Sequence, residues 1–330
     1  MKRTFLAAAS ALCIACATAS ASTYNFQTIN NPADPNFNQL LGINNAGVIA
    51  GYFGDGAVVP NNGYTWTKSG GFVAENYNGA AQTQVVGINN TKTNGTYNTV
   101  GFYVDAAGAN HGFSQIGGTQ TTVDHSGSMG FNQLLGINDS NIAVGFYVDA
   151  LNVSHGYEVN LSTNHFTDLS ITGATSVTAT AINNAGWIAG FYSDAIGNTH
   201  GFLDENGTYK ILDDPMGVGV NTSIFGMNNK GQLVGSFLNA NDGTNGFVYN
   251  VNTNSWQTVS DPNAQFLTAF GVSGTVLNGI NDAGDLVGFY SDGTHVNGLL
   301  ATPTPEPASL GFLLIGGGLA AVGVVKRRKR

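Results

Sequence analysis

The stretch "GINNAGVIAGYF", Gly42 to Phe53, returns five times along the chain. Its copies are "GINNTKTNGTYNTVGFY" from Gly87, "GINDSNIAVGFY" from Gly136, "AINNAGWIAGFY" from Ala181, "GMNNKGQLVGSF" from Gly226 and "GINDAGDLVGFY" from Gly279. Such recurrence constrains the fold strongly, because every copy must build the same unit and bury its neighbours. Counted from the first Asn of each turn, Asn44, Asn89, Asn138, Asn183, Asn228 and Asn281 are separated by 45, 49, 45, 45 and 53 residues. The two long intervals trace to the polar insertion "TKTNGTYNT" in the second unit and to "AFGVSGTVLN" before the sixth, both expected in loops.

The fourth unit shows the physics of one copy. "VTATAIN" from Val177 alternates β-branched and small residues, which suits a strand packed on both faces. "NNAG", Asn183 to Gly186, is turn chemistry, since Asn tolerates and Gly supplies left-handed φ. "WIAGFYSD" returns as a second strand, "HGFLD" is a third and "TYKILDD" a fourth, stopped by Pro215. Four short strands in about 45 residues make a blade, so the fold class is all-β, a six-bladed β-propeller of four-stranded blades. The sixth unit supplies only three strands before its linker. Its missing strand should resemble "SWQTVSDP" from Ser255, and that form stands at the other end as "YNFQTINNP", Tyr24 to Pro32. The N-terminal strand is therefore expected to close the last blade and remove its open edge.

Glycines recur inside the second strand (Gly51, Gly101, Gly145, Gly190, Gly235, Gly288) and at the start of the third (Gly63, Gly112, Gly156, Gly201, Gly246, Gly298). Gly within a strand marks a bulge or close approach. Here it is read as making room for a ring of the adjacent blade, with Phe102, Phe146, Phe191, Phe202, Phe247 and Phe289 as inter-blade core.

Charge is distributed unevenly. Of the basic residues only Lys68, Lys92, Lys210 and Lys230 lie between the termini, so the body is acidic and would repel phosphate backbones. Nucleic acid is thereby excluded as a partner. Both ends read as targeting. Residues 1–21 form a signal peptide: Lys2 and Arg3, an apolar run from Phe5 to Ala17, and a cut after Ala21. Both cysteines, Cys13 and Cys16, fall inside it, leaving no thiol for disulfides, metal or nucleophilic chemistry. A lipidated Cys16 is the alternative, although "CIAC" lacks the expected Leu three residues earlier.

After the propeller, 22–300, come a Pro-rich linker, 301–309, an apolar segment, 310–325, and a basic cytoplasmic tail, 326–330. The apolar segment is slightly short for a permanent span, which needs about 17 to 25 residues. The basic end should stay cytoplasmic and leave the body outside. This tail resembles the PEP-CTERM sorting signal, with Pro305, Glu306 and Pro307 matching its motif. That resemblance implies an exosortase as processing partner and transient anchoring in the inner membrane. The destination would be the cell surface or exopolysaccharide matrix of a Gram-negative bacterium. The repeat itself, as in "GINDAGDLVGFY" followed in other copies by "HGF", resembles the HAF-type extracellular repeat over Tyr24 to about Leu300. It implies an exported propeller-like protein and brings no catalytic residues.

Two sets of recurring side chains are candidate ligand positions. His111, His155 and His200 each precede the third-strand Gly, where the other units carry Asn62, Asn245 and Asn297. Because both types donate and accept, a turn-holding hydrogen bond is one reading, and a three-His metal ring is the other. Asp55, Asp105, Asp149, Asp194 and Asp292 open the loop between strands two and three, with Asn239 in the remaining copy. They suit turn formation, and with loop carbonyls could make a weak Ca2+ site. No other cofactor is implied. Carboxylates that obey the repeat symmetry do not make the unlike pair that glycoside chemistry needs. The segments that break symmetry, "DHSGSMG" with Asp124 and His125, "DDPMGVGVN" with Asp213 and Asp214, and "TKTNGTY" with Lys92 and Tyr97, are read as surface loops. The expectation is a non-catalytic surface or matrix protein binding exopolysaccharide through repeated polar loops. A glycosidase or lyase on the same scaffold and a protein-interaction module are the rivals. The last would need an apolar patch on one rim, which the loop sequences do not advertise.

Overall fold

The first Asn of each repeat does two jobs, and this is why the pair "NN" or "ND" survives in every unit. In the first unit the Asn44 side-chain oxygen accepts the N–H groups of Ala46 and Val48 at 3.1 and 3.0 Å. Gly47 supplies the left-handed φ of 72° that completes the turn. The Asn44 amide then donates to the Asn89 carbonyl of the next unit. Turn and neighbour are thus fixed by one residue.

A computed structural model describes residues 23–240, 243–266 and 270–304. Residues 1–21, read above as a signal peptide, the sorting motif Pro305-Glu306-Pro307, the apolar segment and the basic tail lie outside the described residues. Tyr24–Pro303 fold as six four-stranded antiparallel sheets. Blade 1 comprises Asn38–Ile43, Ile49–Phe53, Asn62–Thr67 and Gly71–Ala74, from the axis outward. Blades 2 to 5 repeat this order over 82–122, 132–168, 176–212 and 222–259. Blade 6 takes Thr275–Ile280, Leu286–Ser291 and Val296–Pro303 from the C-terminal end. Its outer strand is Tyr24–Thr28, paired from Tyr24↔Pro303 to Thr28↔Leu299, so the N-terminal strand closes the ring. The third strand of this blade runs on past Leu300 to Pro303.

Every inner strand carries a register shift two residues before its Ile or Met, as between Leu134 and Gly136. That bulge corrects the reading of the second-strand glycines. A Cβ on Gly145 would lie 1.9 Å from the Gln133 carbonyl oxygen of its own blade, and Gly101, Gly190, Gly235 and Gly288 meet the same obstacle. Room is made for the bulged carbonyl, not for a ring of the adjacent blade. At the third-strand positions the adjacent blade is indeed the neighbour, through aliphatic side chains: Leu277 beside Gly246 and Ile224 beside Gly201.

The phenylalanines also divide. Phe202 and Phe247 are wholly buried and Phe289 nearly so, each removing an aromatic side chain from water for about 2 kcal/mol or more. Phe102, Phe146 and Phe191 are instead half-buried and line the central cavity. The insertion in the second unit is not a loop. It lengthens the inner and second strands to Gln82–Thr93 and Thr96–Val104, with the Lys92 ammonium 4.6 Å from the centre of the Tyr97 ring.

Antiparallel order gives the two rims different contents. One, the turn rim, carries the inner-to-second and third-to-outer turns. The other, the loop rim, carries the second-to-third loops and the connections between blades.

Candidate functional site

The six inner strands surround a cavity of about 370 Å³ along the axis. At the loop rim its wall is Gln39, Gln84, Gln133 and Thr178, with the rings of Phe102, Phe146 and Phe191 beside them. Deeper lie Leu41, Val86, Leu135, Thr180, Phe225 and Asn278, and then a collar of Ile43, Ile88, Ile137, Ile182, Met227 and Ile280. None of the lining residues is titratable. The cup offers amides, hydroxyls and flat apolar rings, so it suits an uncharged guest; a charged one would be desolvated without a partner. Two of the glutamines are held from outside: the Gln84 amide donates to Asn61 at 2.8 Å, and that of Gln133 to Asn110 at 3.5 Å.

Beyond the collar two rings of hydrogen bonds form the floor. In the inner one, the amides of Asn44, Asn89, Asn138, Asn228 and Asn281 each donate to the backbone carbonyl of the equivalent Asn in the next blade, at 2.9 to 3.3 Å. Asn183 faces the Met227 sulfur instead, at 3.9 Å. In the outer ring the backbone N–H groups of Asn45, Asn90, Asp139, Asn184, Asn229 and Asp282 each donate to the side-chain oxygen of the next member. The circle closes at 2.7 to 2.9 Å throughout. Burial alone would raise the Asp282 carboxyl, but hydrogen bonds from Asn229 and Asn45 hold it below its ordinary value.

The sequence-derived positions stand on the loop rim. Asp105, Asp149 and Asp194 each accept two N–H groups of their own loop through one oxygen. Asp55 accepts three. Asp292 accepts those of Thr294 and His295. These bonds place all five carboxyls below their ordinary values. The other oxygen of the Asp in blades 2, 3 and 4 faces the histidine of the same blade. His111 sits 2.6 Å from Asp124 and 3.4 Å from Asp105, His155 2.9 Å from Asp149, and His200 3.0 Å from Asp213 and 3.3 Å from Asp194. Each imidazole also stacks on a second-strand ring, Tyr103, Tyr147 or Tyr192. Burial opposes charge on His111 and His200, yet their two carboxylates outweigh it and hold both above the ordinary value. In blade 6, where Asn replaces His, the bond remains, with Asn297 donating to Asp292 at 3.0 Å, whereas Asn62 donates to the Pro60 carbonyl and Asn245 accepts from Ser260. The structure thus gathers Asp and His blade by blade and not into a common centre. Among the described residues no group of three or more His, Cys, Asp or Glu converges as a metal ion would require.

Sequence reasoning missed three features of this face. The cup joins side chains far apart in sequence. The floor was written in the second residue of each "NN" or "ND", the signal that could have found it. Third, the loop rim exposes large apolar side chains, among them Val58, Met129, Leu151, Ile196 and Met216, contrary to the expectation from the loop sequences.

Solved structures share this fold at low identity. A putative TolB from Agrobacterium tumefaciens superposes with TM-score 0.55 at 10% identity, covering 82% of this chain and 92% of that one. The SapL1 lectin, in complex with alpha methyl fucoside, gives 0.53 at 12%, with 82% and 92% covered. A fucose-specific lectin from Aleuria aurantia gives 0.52 at 12%, with 82% and 96% covered. Such likeness carries the propeller fold and nothing further. No curated protein matches the chain. Residues 303–329 match the PEP-CTERM protein-sorting motif, and they mark this propeller as an exported protein with an exosortase sorting signal at its C-terminal end.

Proposed function

We propose that this protein is a non-catalytic surface or matrix component that binds exopolysaccharide on its loop rim, with the uncharged cup as the central contact. The observation that carries the reading is the cup mouth, where Gln39, Gln84 and Gln133 stand beside Phe102, Phe146 and Phe191. Amides hydrogen-bond hydroxyls, and aromatic faces cover the apolar faces of sugar rings. The acidic loops around it favour a neutral polymer over a uronate-rich one. Lectins built on the same scaffold make the reading compatible with the fold, as analogy only.

The test follows binding of the producing strain's own exopolysaccharide together with release of reducing ends, with calcium and with EDTA. Saturable binding without new ends, weakened in a Gln84→Ala/Gln133→Ala variant, is the expected outcome. New reducing ends would make the protein an enzyme. Absence of binding would sink the polysaccharide reading.

A further inference from the structure

The loop rim differs from the remaining surface in two independent ways. It is apolar at its tips: Leu151 is 83% exposed, Ile196 85% and Met129 70%, and Met216 and Phe266 also face solvent. Among the described residues the only large exposed apolar side chains elsewhere are Val73 and Ile211, on outer strands. Hydrogen bonds tie these loops into neighbouring pairs. The Met129 N–H donates to the Val148 carbonyl at the base of the Leu151 loop, and the Thr199 N–H donates to the Val220 carbonyl beside the Ile196 loop. Met129 thus stands with the Leu151 loop and Val220 with the Ile196 loop, and exposed apolar side chains gathered on one face mark an interaction site.

Among the described residues the same rim carries no lysine or arginine. Lys68 and Lys230 stand in turns of the opposite rim, Lys92 near the end of the lengthened inner strand on that side, and Lys210, on an outer strand, pairs with Glu205 at 2.7 Å. The loops of this rim instead carry Asp at almost every turn, beside half-buried histidines. A second copy of the chain would set acid against acid, and an anionic lipid surface or nucleic acid would be repelled. The Leu, Ile and Met tips themselves offer no flat ring for a sugar. What fits is a partner with apolar side chains flanked by positive charge.

We infer that the loop rim is a docking surface for a basic polypeptide segment, whose apolar side chains seat among Met129, Leu151, Ile196 and Met216 while its lysines or arginines face the surrounding aspartates. This goes beyond polysaccharide binding at the cup and stands without it, because it uses the loop tips and not the channel.

The experiment titrates the full chain with three synthetic peptides by fluorescence anisotropy. One has a Leu-Trp-Leu centre flanked on each side by lysines, one has the same centre flanked by glutamates, and one has a Ser-Gly-Ser centre flanked by lysines. The first should bind saturably and weaken about tenfold or more between low and high salt, and the other two should bind at least about tenfold more weakly. A Leu151→Ser/Ile196→Ser variant, altered only at solvent-facing tips, should keep its circular dichroism and melting midpoint and lose about tenfold in affinity for the first peptide. Equal binding of the glutamate peptide, binding unchanged in the double variant, or no binding of the first peptide would each overturn the inference.

Discussion

Glu75 follows the outer strand of blade 1, and its carboxyl is buried against blade 2, where it meets the hydroxyl of Thr99. Its backbone N–H is fixed to the Gly63 carbonyl at 2.9 Å, which holds the residue at the blade edge. Burial pushes the carboxyl from 4.5 up to about 7, against a lowering hydrogen bond from Thr99. Below pH 4.5 both folded and unfolded chains carry the proton and the group contributes nothing adverse. As pH rises from 4.5 towards 7 the unfolded chain ionises first, so the unfolded state gains. A shift of this size at about 1.4 kcal/mol per pH unit makes the loss about 3 kcal/mol, complete above pH 7. Glu75→Gln keeps the shape and a partner for Thr99 while removing the charge. It should match the parent protein near pH 4.5 and exceed it by up to about 3 kcal/mol at pH 8. Urea unfolding of both proteins across this range, with the slope checked for constancy, measures the difference directly. A difference that does not change with pH, or a Gln variant less stable than the parent at pH 8, would refute the reasoning.

Other positions give outcomes of different kinds. His200→Asn copies the residue that Asn62, Asn245 and Asn297 place at the equivalent site. Because His200 is held above its ordinary value, its contribution is present at low pH and lost as pH rises through the raised value. The variant's melting midpoint should therefore fall further below the parent's at pH 5.5 than at pH 8.5. Gly145→Ala drives a methyl into the Gln133 carbonyl and should cost about 3 kcal/mol or more, visible as a lowered urea midpoint; a cost under about 1 kcal/mol would refute the bulge argument. Asp282→Asn replaces an acceptor of the Asn45 and Asn229 amides by another donor, and should destabilise by about 1 to 2 kcal/mol in the same assay.

The architecture was legible because each copy repeats its own chemical reasons. An Asn that caps a turn and reaches the next blade cannot be exchanged freely, and neither can a Gly facing a carbonyl. The closing strand was legible for the same cause, since "YNFQT" reproduces the outer-strand form. The glycine rationale was less readable. A strand buried on both faces has no polar side to reveal which neighbour comes close, and the bulge exists only once two strands are paired. Phe102 and Phe202 are equally aromatic, yet one lines the cup and the other is sealed between blades. Phe102 stands on a second strand and Phe202 on a third, and only closure of the ring decides which of them reaches the axis. Leu151 and Ile196 were hidden differently: each is a single apolar residue inside an Asp-led turn, and composition cannot tell an exposed tip from a core residue.

The floor of the channel shows how a near-symmetric ring settles its polar groups. Six asparagines at the second turn position could each accept the N–H of the preceding blade, but all six side-chain amides would then lack an acceptor within the ring. Six aspartates would supply acceptors and crowd like charges around one axis. The chain uses Asn45, Asn90, Asp139 and then Asn184, Asn229, Asp282, so a carboxylate follows every two amides. The free oxygen of Asp139 accepts the amides of Asn90 and Asn184, and that of Asp282 accepts those of Asn45 and Asn229. Every amide of the ring finds an acceptor, and the two charges stand three blades apart, as far as a six-bladed ring allows. The departure from strict repetition at Asp139 and Asp282 is therefore structural chemistry. Both carboxylates line a small recess on the axis, and the hydrogen bonds that hold the ring together occupy both oxygens of each.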